Sequence, residues 1–390
     1  MRTQVGIVGA GPAGLTLAHL LHLQGVESVV LEARSREYVE HRVRAGVLEQ
    51  GTVDLLTAAG VGDRLHREGM VHHGLELRFG GRGHRIPLTD LTGRSITIYG
   101  QQEVVKDLIA ARLQAGGTIL FEVEDVRLDG VDGDRPVVRF RAGGAEQRLD
   151  CDVVAGCDGF HGVCRDAIPG GVLTAYGRDW PYAWLGVLAE VAPSTEELIY
   201  CSHERGFALH SMRSPRITRL YLQVGPTEPL DDWPDERIWQ ELQTRLATDD
   251  GWRLQSGPIL EKGVTALRSY VVEPMQHGRL YLAGDAAHIV PATGAKGLNL
   301  AVNDVRLLAE ALAAWYRSGS TELLDGYSAA CLRRVWRVQD FSSWMTLMLH
   351  RAPTDDDFER KLQRARLEYV ASSEAAARGL AENYVGLERV

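Results

Sequence analysis

Three glycines close to the N-terminus have the spacing of a phosphate-binding turn; they are Gly9, Gly11 and Gly14. They follow an apolar run at residues 4–8 and precede a helical pattern of leucines. The first glycine permits a tight turn, the second lets a pyrophosphate approach the backbone, and the third lets helix and strand pack closely. Glu32, at the end of a second predicted strand, can accept hydrogen bonds from a ribose diol. The spacing predicts a dinucleotide-binding βαβ unit and does not distinguish FAD from NAD.

Two later turns also place an aspartate beside a glycine at the end of a predicted strand. Asp158 follows the strand at residues 151–154, and Asp285 follows the strand at residues 279–283. A carboxylate in this position can hold a chain of hydroxyl groups. The helix that opens near residue 297 can stabilise a negative charge, such as that of a reduced flavin. Each turn alone is also compatible with a plain strand-to-helix junction, but the three in this order favour a bound flavin.

Taken in order, the three turns resemble those of the single-component flavoprotein aromatic hydroxylases, which use FAD and a nicotinamide coenzyme. Within that family, further segments are similar to the members that hydroxylate 4-hydroxybenzoate. These segments are residues 42–50, 99–101, 206–209, 272–278 and 382–386. The resemblance implies non-covalently bound FAD and the hydroxylation of 4-hydroxybenzoate to 3,4-dihydroxybenzoate with NAD(P)H and O₂.

The resemblance places the carboxylate of the substrate on two neighbouring predicted strands. Ser211 and Arg213 would share one face of their strand, and the planar fork of an arginine suits a carboxylate. Together with the Tyr221 hydroxyl, they would complete the carboxylate site, and Met212 would contribute to the substrate pocket.

The resemblance also implies a route for protons. Tyr200 would hydrogen-bond the 4-hydroxyl of the substrate and favour its phenolate, which activates the adjacent ring carbon. Tyr384 and His72 would complete a relay to solvent, because tyrosines pass protons and histidine titrates near neutral pH. Arg219 would lie beside the flavin. These four side chains are the predicted catalytic residues.

Further residues match the family's contacts to FAD and to the coenzyme. Besides the three glycines, Glu32 and the two aspartates, the FAD contacts would be Arg42, Val43, Arg44, Ala45, Gly46, Val47, Gln101, Leu298 and Asn299. The nicotinamide coenzyme would meet Arg34, Arg36, Tyr38, His161 and Arg165. Arg34, Arg36 and Arg42 can pair with a 2′-phosphate and favour NADPH, whereas Glu37 and Glu40 can repel that phosphate. Use of both NADPH and NADH therefore stays open.

Ala292 departs from the family pattern, which usually has a second proline after Pro291. The carbonyl group at this position, which resembles a partner of the phenol or of the relay, is retained, but the fixed φ of proline is lost. His210, next to Ser211, is a second departure. A related substrate, 4-aminobenzoate or a dihydroxybenzoate, therefore remains an alternative. A flavin-binding redox protein that does not hydroxylate is another.

The elements that must position these residues predict an α/β fold, α+β overall. A discontinuous Rossmann-like FAD-binding domain would comprise residues 1–70, 100–175 and 268–350. Residues 71–99 and 176–267 would form an inserted mixed or antiparallel sheet over the substrate, because stretches such as 218–224 alternate apolar and polar residues. Residues 351–390 would form a C-terminal helical segment with a helix over 354–380, capped by Thr354 or Asp355. This segment would provide a contact in the homodimer that the resemblance implies.

The composition limits the class of protein. The chain has 390 residues, a formal net charge of −9, 45% hydrophobic residues and 24% charged residues, which argues against disorder. The acidic balance argues against a nucleic-acid partner. No apolar run reaches about 18 residues, the length that a membrane span needs. The five cysteines lack the spacing of a metal site or a disulfide framework. These features predict a soluble cytoplasmic protein without a metal.

Overall fold

The first layer of the fold is a six-stranded, mainly parallel sheet, seen in a computed structural model that describes residues 1–42 and 46–386. In spatial order its strands are Gln276–His277, Leu280–Leu282, Val153–Gly156, Val5–Val8, Ser28–Leu31 and Thr118–Leu120. All neighbours run parallel except the first pair. Val5–Val8 is buried at every position, as expected inside a parallel sheet. With the helix Pro12–Leu23 between two of these strands, the predicted βαβ unit is confirmed.

The second layer is an eight-stranded mixed sheet. In spatial order its strands are His288–Ile289, Ile259–Glu273, Thr174–Glu190, Ile217–Val224, Ala208–Ser214, Leu198–Ser202, Leu75–Phe79 and Arg82–Ile86. Leu198–Ser202 and Leu75–Phe79 run parallel, and the other neighbours run antiparallel. Burial alternates residue by residue along Ile217–Val224, which confirms the strand predicted from the alternating pattern.

Two small three-stranded sheets accompany the two larger ones, which two long strands of the eight-stranded sheet help to join. One small sheet contains Val47–Glu49, Ile96–Ile98 and Met70–His72, and the other contains Ala145–Asp150, Val137–Ala142 and Glu124–Asp129. The long strands Thr174–Glu190 and Ile259–Glu273 pair with each other over most of their length. They run across the predicted boundaries at 175 and 268, and the division into domains stays a prediction.

The helices pack on both layers. Besides Pro12–Leu23, they are Arg36–His41, Gln50–Ala58, Asp63–Glu68, Leu88–Thr92, Gln101–Gln114, Asp235–Leu246, Gly297–Ser318, Glu322–Asp325, Tyr327–Leu349, Asp357–Ser372 and Glu374–Val385. Short 3₁₀ turns lie at Arg165–Ala167, Leu230–Asp232, Gly284–Ala286 and Ala292–Gly294. None of the helices in the described ranges is long and apolar enough to cross a membrane.

The C-terminal segment differs in detail from the single helix predicted over 354–380. The carboxylate of Asp356 accepts hydrogen bonds from two backbone N–H groups, so the helix begins at Asp357. It ends at Ser372, and the Ser373 hydroxyl caps the next helix. A serine that supplies its own N-cap favours a new helix start over continuation, which explains the break. Phe358, in the first turn of the helix Asp357–Ser372, is 66% exposed.

The strands at the centre of the eight-stranded sheet separate two apolar cores. Tyr200 and Leu209 point into a core formed with the C-terminal helices, which also contains Tyr384. Their neighbours Ile199 and Ala208 point into the opposite core, against the helix Asp235–Leu246. Because successive side chains of a strand alternate between faces, this arrangement decides which residues reach the candidate site.

Candidate active site

The glycine-rich turn has the geometry that a pyrophosphate requires. Gly9 has a φ of +105°, which favours glycine. A Cβ atom on Gly14 would lie 1.9 Å from the carbonyl oxygen of Gly9, so helix and turn pack this closely only without a side chain there. A Cβ atom on Gly11 would meet no atom within 4 Å, so its backbone borders open space. The helix Pro12–Leu23 begins here without a side-chain cap or an acidic residue in its first turn, which leaves its dipole available to a phosphate.

Glu32 lies beside this turn, at the carboxyl end of the strand Ser28–Leu31. Its Oε2 atom accepts a hydrogen bond from the N–H of Ala10 at 2.7 Å, and its Oε1 atom accepts one from the N–H of Arg34 at 2.8 Å. These bonds hold the carboxylate next to the glycine turn. The position suits the predicted contact with a ribose.

The second aspartate turn is fixed by Asp304, which has no signature in the sequence. Asp285 lies in the 3₁₀ turn Gly284–Ala286. The Oδ2 atom of Asp304 accepts the N–H of Gly284 at 3.0 Å and lies 2.6 Å from Nε2 of His288. Burial lowers the pKa of His288, but the Asp304 carboxylate outweighs burial and the pKa is raised. This buried pair positions the turn that carries Asp285.

A second helix N-terminus lies near the same turn, at the start of Gly297–Ser318, again without a side-chain cap or an acidic residue in the first turn. Leu298 and Asn299 lie in this turn. The side chain of Asn299 accepts two hydrogen bonds and donates to the carbonyl groups of Val47 and Ala295. A contact between Asn299 and FAD would therefore come from its backbone N–H, while its side chain positions the strand that begins at Val47.

The other predicted FAD contacts lie in connecting segments. The carbonyl of Gly46 accepts the N–H of Tyr99 at 2.8 Å, and Gln101 begins the helix Gln101–Gln114. Asp158 accepts the N–H of Cys164 at 2.9 Å, and its Oδ1 atom is buried without a hydrogen-bond partner in the described part of the chain. Val43, Arg44 and Ala45 lie outside the described residues.

The predicted carboxylate site is assembled around Arg213. Its Nη1 atom donates to the Ser211 hydroxyl at 3.1 Å and to the carbonyl of Met212 at 2.7 Å, and its Nη2 atom donates to the Tyr221 hydroxyl at 3.5 Å. The Nε atom is buried and has no partner among the described residues. Within residues 1–42 and 46–386 no carboxylate pairs with Arg213, whose charged or titratable neighbours are Tyr221 and Arg219.

Tyr221 lies close to two guanidinium groups. The Cζ atom of Arg219 is 5.2 Å from the centre of the Tyr221 ring. Gly186, opposite Tyr221 in the sheet, makes room for both, because a Cβ atom there would lie 2.8 Å from Nη2 of Arg219. Burial raises the pKa of Tyr221, but Arg213 and Arg219 outweigh burial and the pKa is lowered. Arg219 is partly compensated by Glu261, whose Oε1 atom lies 3.8 Å from its Nη1 atom, whereas Arg213 has no carboxylate partner among the described residues. The positive charge of Arg213 therefore suits the pocket to an anion.

Tyr200 and Tyr384 form a hydrogen-bonded pair although 184 residues separate them. Their hydroxyl oxygens are 2.7 Å apart, and both side chains are almost completely buried. Burial raises the pKa of both tyrosines, so each carries its proton near neutral pH. The pair can therefore donate a hydrogen bond to a ligand and pass a proton between the two hydroxyl groups.

His72 is buried at the end of the strand Met70–His72. Both of its ring nitrogens lack a hydrogen-bond partner within the described ranges, so no direct bond joins it to Tyr384. Burial lowers its pKa to about 4, although Glu197 acts in the opposite direction. The relay does not reach His72 by direct contact, and the catalytic role of His72 stays a prediction.

Three buried histidines predict a loss of stability in acid. Burial lowers the pKa of His72 and His210 to about 4 and that of His350 to about 3, whereas an unfolded histidine has a pKa near 6.5. Below pH 6.5 the unfolded chain therefore binds protons that the folded chain excludes. We expect the free energy of unfolding to fall by about 2 kcal/mol per histidine between pH 7 and pH 5, measured by urea denaturation. His210→Gln should remove about a third of this fall, and a free energy that stays constant over this range would contradict the prediction.

A family model described as an FAD binding domain matches residues 2–342. The p-hydroxybenzoate hydroxylase of Acinetobacter baylyi is 48% identical over 388 residues, which cover 99% of this chain and 96% of that protein. The chain belongs to the FAD-dependent aromatic hydroxylases. Another relative is described as a probable NADH-specific resorcinol 4-hydroxylase from Rhodococcus jostii. It is 27% identical over 342 residues, which cover 83% of the present chain and 61% of the relative. The crystal structure of p-nitrophenol 4-monooxygenase from Pseudomonas putida shares the fold, with a TM-score of 0.85 at 21% identity and full coverage of both chains.

The geometry of the hydroxylase fits FAD at the turns described above. Open space over Gly11, two helix N-termini without acids, and the carboxylates of Glu32 and Asp285 provide groups for its phosphates, ribose and ribityl chain. When bound, FAD supplies the redox chemistry, by which it takes up hydride from the coenzyme and activates O₂.

A buried ion cluster beside the tyrosine pair was not predicted. The Nζ atom of Lys296 donates to Oε1 of Glu49 and to the carbonyl of Tyr384, both at 2.7 Å, and Arg334 pairs with the other oxygen of Glu49. Burial lowers the pKa of Lys296, although Glu49 opposes this effect. The cluster fixes the backbone at Tyr384. Its partners lie about 250 residues apart in sequence, so no local pattern could reveal it.

The predicted coenzyme residues form two groups in the hydroxylase. In the first, the Cζ atoms of Arg34 and Arg42 lie 5.5 and 5.8 Å from the centre of the Tyr38 ring. In the second, the guanidinium of Arg165 donates to the carbonyl groups of Phe160 and Ala286, and the His161 ring contacts the Phe160 ring. Arg165 thus links the segment at Phe160 to the 3₁₀ turn Gly284–Ala286. Its predicted contact with the coenzyme stays a prediction.

Ala292 lies at a position that can accept proline. It begins the 3₁₀ turn Ala292–Gly294, and the Ala292 carbonyl accepts the N–H of Ala295 at 2.9 Å. The preceding residue, Pro291, has a ψ of 133°, which is the extended conformation that a following proline requires. We expect Ala292→Pro to raise the free energy of unfolding by about 0.4–1 kcal/mol, because it restricts the unfolded chain. Urea denaturation measures the effect, and Ala292→Gly should shift stability in the opposite direction. Destabilisation by proline would show that the turn does not have the required φ.

Proposed function

We propose that this hydroxylase converts 4-hydroxybenzoate to 3,4-dihydroxybenzoate. The observation that carries the proposal is Arg213, which lies with Ser211 and Tyr221 and pairs with no carboxylate of the described residues. One oxygen atom of O₂ would enter the ring and the other would leave as water, while NAD(P)H and a proton supply the two electrons and the hydrogens. The 48% identity to a p-hydroxybenzoate hydroxylase supports the proposal.

The sheet register supports a substrate with its two polar groups at opposite ends. Tyr200 and Tyr221 both pair with Leu209, one from each side, so the two tyrosines lie on one face of the sheet. Two strand spacings separate them, about 10 Å between backbones. An aromatic ring with its carboxylate at Arg213 and its hydroxyl in the para position would extend toward Tyr200.

In this proposal the protein's own groups orient the ring and move one proton. The Arg213 fork and the hydroxyls of Ser211 and Tyr221 bind the carboxylate. The Tyr200 hydroxyl donates a hydrogen bond to the oxygen at the 4-position, which favours the phenolate and makes the adjacent ring carbon more electron-rich. Tyr384, at 2.7 Å, receives or returns the proton through Tyr200. The surrounding apolar core excludes water from the pair.

The test is NAD(P)H oxidation by the FAD-loaded protein with and without 4-hydroxybenzoate, with 3,4-dihydroxybenzoate quantified by chromatography. The proposal expects stimulated oxidation and nearly one product per coenzyme. Stimulation without product would reduce 4-hydroxybenzoate to an effector. The absence of both effects would reject this substrate.

Two alternatives can be decided by the same assay. Ala292, where the family usually has a proline, keeps 4-aminobenzoate or a dihydroxybenzoate as an alternative substrate, and a panel of aromatic acids would discriminate among them. A flavin protein that does not hydroxylate would insert no oxygen into any acid. The buried Tyr200–Tyr384 pair argues against this second alternative, because a redox sensor has no use for a phenol relay.

We propose NADPH as the preferred coenzyme. Arg36 is paired with Glu40 at 2.7 Å, whereas Arg34 and Arg42 both lie over Tyr38, where a 2′-phosphate could meet them. We expect Arg42→Ala to lower kcat/KM for NADPH about tenfold and to change that for NADH much less. In the unmodified enzyme, a kcat/KM for NADH more than tenfold above that for NADPH would reject the preference.

We further propose that the enzyme works as a homodimer in the cytoplasm. Phe358, Leu362 and Tyr369 expose apolar surface on the helix Asp357–Ser372, which suits contact with a second copy. The cytoplasm holds the reduced coenzyme that the reaction needs. Sedimentation equilibrium would measure the association, and a monomer at micromolar concentration would reject the dimer.

A further inference from the structure

His350 closes the C-terminal end of the helix Tyr327–Leu349 and is only 2% exposed. Its Nδ1 atom lies 3.1 Å from the carbonyl oxygen of Thr346. A carbonyl oxygen only accepts hydrogen bonds, so Nδ1 carries the proton of the neutral ring. The other nitrogen, Nε2, is therefore a hydrogen-bond acceptor, buried beneath the substrate sheet.

The partner of that acceptor is an indole. The Nε1–H group of Trp184 donates to Nε2 of His350 at 2.6 Å, and the angle between the planes of the two rings is 9°. Trp184 in turn packs on the Tyr221 ring at a centroid distance of 4.9 Å. Tyr221 contributes its hydroxyl to the carboxylate site. A continuous chain of contacts thus joins the end of a C-terminal helix to the substrate pocket.

We propose that His350 is a positioning residue for the substrate carboxylate: as a neutral acceptor it fixes the Trp184 indole, which sets the position of Tyr221 beside Arg213. The proposal rests on the proposed function for the identity of the ligand. The described ring and hydrogen-bond contacts of His350 include Trp184 and Phe207 but not Ser211, Arg213 or Tyr221, so its effect on the carboxylate site passes through Trp184.

The surroundings of His350 keep its ring neutral and fix the position of the ring. Burial lowers its pKa to about 3, so the ring stays neutral at the pH of the reaction. The side chain of Gln363 donates to the backbone carbonyl of His350 at 2.6 Å, and the ring stacks on Phe207 at 4.3 Å. The acceptor therefore has a fixed place, as a positioning role requires.

The experiment compares His350→Phe, which keeps the ring stack and removes the acceptor, with His350→Gln, which can place an amide oxygen near the indole. Binding of benzoate, a bare aromatic carboxylate, is titrated on the FAD-loaded protein through the flavin absorbance. We expect the Kd for benzoate to rise about tenfold in the Phe variant and much less in the Gln variant, because a buried donor has lost its partner. With 4-hydroxybenzoate, KM should rise while kcat changes little.

Two further measurements separate positioning from a general packing defect. ¹⁵N-labelled indole signals report the Trp184 N–H directly, identified among the eight tryptophans by its loss in Trp184→Phe; this signal should shift in His350→Phe. The Kd of the double variant should not exceed that of Trp184→Phe alone. His19→Phe, at another buried histidine that contacts the Ala59 carbonyl, should lower stability without changing the Kd.

Each outcome decides the proposal. A shifted indole signal with an unchanged Kd would overturn it, and so would an unshifted signal. If His350→Phe does not fold, Trp184→Phe must show the raised Kd, and a normal Kd there overturns the proposal. If the wild-type protein binds benzoate but does not hydroxylate 4-hydroxybenzoate, the proposed function fails while the positioning role is still tested by benzoate.

Discussion

Replacing Arg213 with methionine should weaken the binding of 4-hydroxybenzoate by about 2–5 kcal/mol, or roughly 30- to 5,000-fold. The guanidinium is the group best placed to neutralise the carboxylate, and its Nε atom is buried without a partner among the described residues. Removing it would leave a desolvated carboxylate opposite apolar surface. The Kd is measured by titration of the flavin absorbance in the FAD-loaded protein.

Arg216→Met provides the matched control. Arg216 is exposed in the turn that follows the same strand, so its loss should leave the Kd within about twofold. Arg213→Lys should fall between the two, because an ammonium group keeps the charge and loses the bidentate fork. An Arg213→Met enzyme that binds the acid as tightly as the wild type would remove the carboxylate site from this pocket.

Replacing Tyr200 with phenylalanine should lower the rate of hydroxylation by about 10²–10⁴-fold, the range typical of a lost acid–base group. The Kd for 4-hydroxybenzoate should change little, because the carboxylate contacts remain. The substitution removes the hydroxyl that lies 2.7 Å from Tyr384, so the phenol would keep its proton. Product formed and coenzyme consumed are measured separately, and we expect oxidation to continue with little product.

Tyr281→Phe is the corresponding control. Tyr281 is also a buried tyrosine, but it lies in the nucleotide-binding sheet against Tyr327, away from the substrate sheet. The Tyr281→Phe enzyme should hydroxylate 4-hydroxybenzoate at a nearly normal rate. Undiminished hydroxylation by Tyr200→Phe would instead show that another group favours the phenolate.

The parts of the fold that the sequence could predict are those that local chemistry decides. The turn at Gly9 requires a residue without a side chain and a neighbouring strand and helix, all within 25 residues, so its form could be read from the chain. The same holds for the alternating strand Ile217–Val224, where the side-chain period marks one buried face. The contact between Tyr200 and Tyr384 spans 184 residues and was expected only because of a family resemblance.

Contacts that depend on the packing of distant elements escaped prediction. Lys296 carries no local sign that it would be buried against Glu49, and Asp304 sits inside an ordinary helical pattern. No sequence pattern indicates the role of His350 either, because its Nε2 atom accepts the Trp184 N–H only when the folded chain brings the two residues together. The break at Ser373 was missed because a serine inside an apolar periodic pattern is compatible with both a continuous helix and a new N-cap.

The paired strands Thr174–Glu190 and Ile259–Glu273 have a consequence for how such an enzyme can be recombined. They pair over about 50 Å, beginning beside the nucleotide-binding layer and continuing into the eight-stranded sheet, where Thr174–Glu190 also pairs with Ile217–Val224. Backbone hydrogen bonds between these two strands therefore join the nucleotide-binding layer to the eight-stranded sheet, whereas the domains of modular proteins are joined by a flexible linker. A chimera that exchanges the eight-stranded sheet between relatives must move both strands together, since a crossover within either one would place unmatched side chains opposite each other in the exchanged part of the pair.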